Sequence, residues 1–221
     1  MKCLRKTSLS PLILSANGSG TLKWWVGASF AVHPNVRGHS GGGLSMGRGF
    51  PVVSSTKQKL NARSSTETEV VGADDFVPAT CWTRHFVLAQ GHDVADNILH
   101  QDNKSAMLLE KNGKASSSKR TKHINIRYFF ITDRINKGEA SVAWCPAGDM
   151  TGDFMTKPLQ GALFRRFRDH IMGVAPMQDP GPGKVAEPKV VKTMKSNEKN
   201  DVKKKKSRGK STDELVVHKK Q

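Results

Sequence analysis

The segment TLKWWVGASF at 21–30 constrains the fold more than any other part of the chain. It is rich in Trp, Val and Phe and carries one charge, Lys23, so it reads as a strand buried in a core. The glycine-rich patch that follows, GHSGGGLSMGRG at 38–49, invites comparison with a phosphate-cradling loop. It lacks the Gly-Lys-Ser/Thr ending, and no helical pattern comes after it. Its glycines therefore read as hairpin positions between strands. Strands around Gly43–Met46 and Pro51–Ser55 then complete an antiparallel meander.

Ser64, Ser65 and Thr66 precede Glu67 and Glu69, a cluster of capping hydroxyls followed by acids that signals a helix start. Val70, Val71, Phe76, Cys81, Trp82, Phe86 and Ala89 carry the apolar period to Gly91, with Pro78 expected to kink or split the helix. The spacing then predicts a strand at Asn97–His100, a helix at Asn103–Lys111 ended by Gly113, and a helix over Ile124–Lys137 stopped at Gly138. Ala140–Cys145 reads as a strand ended by Pro146. Asp149–Met155 and Leu159–Met172 read as two terminal helices separated by Pro158.

With 221 residues and 36% hydrophobic content there is room for one core and a tail, not for two full domains. The expected division is a lead-in over 1–20, a folded domain over 21–173 and a disordered Lys-rich tail over 174–221. From Pro180 onward thirteen Lys and Arg face five Asp and Glu, so about half of the formal charge of +17 falls in that tail. A surplus of this sign favours polyanionic partners. Cys3, Cys81 and Cys145 stand far apart in no metal or disulfide pattern, which points to a reducing compartment, cytoplasmic or nuclear. No apolar run reaches the length of a membrane span, so no membrane partner is expected.

Several carboxylates lie where separate elements end. Cutting a phosphodiester with two divalent ions needs carboxylates that converge from different elements, and magnesium prefers such hard oxygen ligands. Glu69 near a helix start, Asp102 at a strand end and Asp153 on a late helix are candidates for that convergence. Taken singly, each has a plainer reading. Glu69 would favour the helix dipole, and Asp102 would be a turn or cap residue.

The strings SSTETEV (64–70), HQDNKSAMLLEKN (100–112), KRTKHINIRYFF (119–130) and GDMTGDFMTKPL (148–159), in this order and spacing, resemble the ribonuclease H domain of copia-type LTR retrotransposon polyproteins. The resemblance runs from about Leu22 to Met172. It implies an α/β fold, a ribonuclease H-like five-stranded mixed sheet flanked by helices. It also implies hydrolysis of the RNA strand of RNA–DNA hybrids by two-metal catalysis, with magnesium or manganese as cofactor and a reverse transcriptase domain as partner.

By this resemblance Glu69, Asp102 and Asp153 are catalytic metal ligands, and the family's first-strand aspartate falls on Gly27. The chain departs from the family there and at Gly152, where glycine should loosen the late helix by around 1 kcal/mol. Loss of the ligand at 27 implies weak or absent nuclease activity, with Asp149 and Asp74 as conceivable substitutes. The alternative is a non-catalytic nucleic-acid-binding protein that uses the fold and the basic tail.

For nucleic-acid contact the candidates are Lys119, Arg120, Lys122, His123 and Arg127, with Lys203, Lys204, Lys205 and Lys206 in the tail. A solvated loop is the plain reading of the first group, and a cap or packing role that of His123. Trp24, Trp25, Phe30, Trp82, Phe129 and Phe130 read as core residues rather than as stacking platforms for bases.

Overall fold

A computed structural model of the chain describes residues 9–113 and 125–176, the side chains of 125–128 excepted. Strand β1 (Ser15–Ala16) pairs antiparallel with β4 (Gly47–Arg48) in a small separate sheet. The main sheet contains β2 (Thr21–Ser29), β3 (His39–Ser45), β5 (Val52–Lys57), β6 (Asp96–Gln101) and β7 (Ser141–Trp144). Its order is β5-β3-β2-β6-β7, antiparallel through the first three strands and parallel from β2 to β6 to β7. With the helices on it, this is the expected five-stranded mixed sheet flanked by helices.

β2 sits at the centre because both of its faces are apolar. Leu22, Trp24 and Val26 pack with Val70, Phe76 and Val77 of helix α1 (Ser65–Ala89), with Leu109 of α2 (Lys104–Asn112) and with Ile131 of α3 (Asn125–Asn136). Trp25 points the other way, into a second cluster with Phe50, Cys145, Met150 and Ile171 of helix α4 (Gly161–Ile171). Period-two alternation along one strand thus feeds two cores.

The caps fall where the sequence signals them. The Ser64 side chain accepts from the Glu67 N–H at the start of α1, and Asn103 accepts from Ser105 and Ala106 at the start of α2. Pro78 does not split α1. It lies on the exposed side of the helix, while Val77, Thr80 and Cys81 hold the opposite side to the core.

Three further expectations are corrected. Gly41, Gly42 and Gly43 lie inside β3 rather than in a hairpin. A β-carbon on Gly41 would come within 2.6 Å of Met155 Cβ, and one on Gly42 would strike the Trp25 carbonyl, so glycine is needed there for close approach. Asp149–Met155 is not a helix but two 3-10 turns, Ala147–Asp149 and Thr151–Met155. Among the aromatic residues assigned to the core, Trp24 and Trp25 are buried, whereas Phe30, Trp82 and Phe129 are exposed. Trp82 and Phe86, one turn apart on α1, stack on each other instead.

Candidate functional site

The second 3-10 turn is pressed onto the middle of β2. A β-carbon on Gly152 would lie 2.8 Å from the Trp25 carbonyl oxygen and 3.0 Å from the Gly27 nitrogen, so only glycine lets the turn approach this closely. The Ser29 hydroxyl donates to the Thr156 carbonyl and the Ser55 hydroxyl to the Met155 carbonyl, each at 2.8 Å. These bonds tie the turn's exit to β2 and β5. The expected loosening at Gly152 is therefore replaced by a packing requirement.

This packing sets Asp153 directly against Gly27. A β-carbon at 27 would lie 3.2 Å from Asp153 Oδ1. The other carboxylate oxygen, Oδ2, accepts a hydrogen bond from Lys157 Nζ at 2.7 Å, four residues on. Asp153 is buried, and Lys157 is partly exposed.

Glu69 reaches the same region from the first turns of α1. Its Oε2 is buried and has no hydrogen-bond partner among the described residues. Burial pushes its carboxyl up to about 9. The charges of Asp102, Asp153 and Glu110 act in the same direction, and Lys157 opposes them. Asp102, half-buried, follows the last residue of β6 and precedes the α2 cap.

Burial also raises the Asp153 carboxyl, against the pull of Lys157. For Lys157 burial works to lower the ammonium. The hydrogen bond to Asp153 and the carboxylates of Asp153, Asp102 and Glu69 nevertheless carry it above its ordinary value. The three sequence-predicted acids and Lys157 thus lie in one another's electrostatic field.

That neighbourhood is not a ligand sphere. Among the described residues, no group of three or more His, Cys, Asp or Glu side chains could hold a metal ion. The donor set falls short in two places: position 27 offers no side chain, and Asp153 is engaged by an ammonium. The residues present do not fit a pair of divalent ions. Of the suggested substitutes, Asp149 faces Arg166 at 3.5 Å and Asp74 lies on α1, not on the opening strand.

Sequence reading missed two groups. Lys157 is the first, and its signal was its place four residues after Asp153, the interval that puts side chains on one side of a turn. The second is Glu110, fully buried on α2. It accepts from Gln101 Nε2 at 3.1 Å, and burial pushes it up to about 8. Gln101 Nε2 also lies 3.4 Å from the Glu69 carbonyl, so this pair underpins the Glu69 backbone. Lys119, Arg120, Lys122, His123 and Lys203–Lys206 fall outside the described residues, as does the Arg127 side chain.

No protein-family model matches the chain. Its relatives are retrovirus-related Pol polyproteins from plant transposons. It is 32% identical over 119 residues to that of transposon RE1 of Arabidopsis thaliana, a match covering 53% of this chain and 8% of the relative. It is 31% identical over 115 residues to that of RE2 of the same plant (52% and 8%). To that of TNT 1-94 of Nicotiana tabacum it is 29% identical over 100 residues (45% and 7%). The chain thus matches less than a tenth of these polyproteins' length.

Among solved structures, an RNase H1 isolated from compost is similar with a TM-score of 0.45 and 8% identity, covering 62% of this chain and 92% of that one. The RNase H1 of Halobacterium salinarum NRC-1 is similar with a TM-score of 0.36 and 13% identity, covering 60% and 90%. The expected resemblance to a retrotransposon polyprotein stands on the first three.

Proposed function

We propose that this ribonuclease H-like domain of retrotransposon Pol descent belongs by origin to the class that hydrolyses the RNA strand of RNA–DNA hybrids, and that its hydrolytic site is impaired. The observation that carries the reading is the contact between Gly27 and Asp153. Where the resemblance puts a carboxylate ligand there is bare backbone, and the neighbouring Asp153 is paired with Lys157. Glu69, Asp102 and Asp153 remain as the residues of the ancestral site, with magnesium or manganese as the metal that class requires.

The test is cleavage of an RNA–DNA hybrid in magnesium or manganese by the unaltered chain and by Gly27→Asp. Cutting by the Asp variant alone supports a site lacking one ligand. Cutting by the unaltered chain at enzymatic rates overturns the reading. Failure of both would mean that decay extends beyond position 27 or that a polymerase domain is required.

A second reading, a non-catalytic binder of hybrid or other nucleic acid, is favoured by the formal charge of +17. Phosphate contacts by Lys and Arg would supply most of such binding and make it fall steeply with salt.

A further inference from the structure

The ammonium of Lys157 lies 2.7 Å from a carboxylate that is itself buried against the sheet, and the backbone fixes this arrangement. The Lys157 N–H bonds to the Asp153 carbonyl at 2.9 Å, which closes a single turn between the two residues. The turn cannot drift off the sheet, because Gly152 seats it on β2 and the Ser29 and Ser55 hydroxyls hold its last carbonyls. Lys157 therefore stays one turn from Asp153, with its ammonium within reach of that carboxylate.

We propose that Lys157 is the resident counter-ion of this site, balancing Asp153 so that the domain keeps its acids together without a divalent cation. A buried carboxylate that loses its partner is strongly destabilising, so a positive charge beside Asp153 favours the folded state. The chain supplies one from the same turn. The field of Lys157 also reaches Asp102 and Glu69. This inference rests on the reading of an impaired site and adds which residue balances the charge there.

Thermal unfolding of the full chain at pH 8, with and without millimolar MgCl2 or MnCl2, tests it. The unaltered chain should show no metal-dependent rise in Tm. Lys157→Met should melt lower by roughly 3 °C or more, and MnCl2 should restore most of that loss, because a divalent ion can then take the freed charge. Lys157→Met combined with Asp153→Asn should not respond to metal, since pair and demand are both gone. Lys157→Arg should behave like the unaltered chain.

A Tm of the unaltered chain that rises with MnCl2 overturns the proposal, and this holds even if the Met variant fails to fold. A Lys157→Met variant with unchanged Tm also overturns it. Hybrid cleavage separates the two readings. Cutting by the unaltered chain defeats the impairment, whereas a metal-driven Tm rise in a chain that does not cut defeats only the counter-ion.

Discussion

Gly27 and Asp153 face each other so closely that a side chain begun at 27 would start 3.2 Å from Asp153 Oδ1. Restoring a carboxylate at this position therefore places two acids in direct opposition unless a cation joins them. Gly27→Asp should lower stability at pH 8 by about 1–3 kcal/mol through crowding and like-charge repulsion. Acidification or MnCl2 should recover most of the loss. Gly27→Ala adds the crowding without the charge, so its loss should be smaller and independent of pH and metal. Urea unfolding of both variants at pH 5 and pH 8 separates the two effects.

Glu69 gives the pH dependence a definite sign. Its carboxyl is pushed from an ordinary 4.5 up to about 9, so between those values the folded chain holds a proton that the unfolded chain has released. Stability must then fall as pH rises through that window, by up to about 1.4 kcal/mol per pH unit for this group. Glu110, pushed up to about 8, acts in the same direction. Glu69→Gln keeps the shape and removes the titration. It should change little at pH 5 and gain on the order of 2–3 kcal/mol at pH 8, less than the full linkage because the buried amide brings donors that need partners. A slope unchanged by the substitution would remove Glu69 as its source.

The sheet and the caps were legible in the sequence because each rests on local chemistry. The apolar run at Leu22–Phe30 places β2, and Ser64 and Asn103 open their helices as capping residues do. The glycines of β3 were misread as turn positions because their cause is not local. Met155, Trp25 and Phe50, from elsewhere in the chain, fill the space that β-carbons would need. Period alone also put Trp82 and Phe129 in the core, although among the described residues no layer covers the sides of α1 and α3 that carry them. At the candidate site the acids could be named from the sequence. Lys157 could have been added to them from its interval of four residues, but the seating of that turn on β2 could not, because it depends on the contact of Gly152 with Trp25 and Gly27, which is not local.

If the basic residues bind nucleic acid, the tail and the folded domain contribute separable parts of the salt dependence. Residues 180–221 carry thirteen Lys and Arg against five Asp and Glu. For every phosphate that the shortened protein no longer neutralises, the plot of log affinity against log salt should flatten by nearly one unit on a duplex. A chain ending at residue 179 should therefore bind a hybrid with a clearly smaller slope, read by fluorescence anisotropy across a salt series. An unchanged slope would move the binding surface onto the folded domain.

Gly152 and Gly148, four residues apart, should respond oppositely to the same substitution. A β-carbon on Gly152 would meet the Trp25 carbonyl oxygen at 2.8 Å and the Gly27 nitrogen at 3.0 Å, both backbone atoms of the central strand that cannot swing aside. Gly152→Ala must lift the turn off β2 and carry Asp153 and Lys157 with it, at a cost of about 1–3 kcal/mol. On Gly148 a β-carbon would meet nothing within 4 Å, and its backbone does not need positive φ. Gly148→Ala should be neutral or stabilising by up to about 1 kcal/mol, because it restricts the unfolded chain. Melting curves of the two variants side by side decide the point. Equal Tm values would mean that the turn is not seated on the sheet as described.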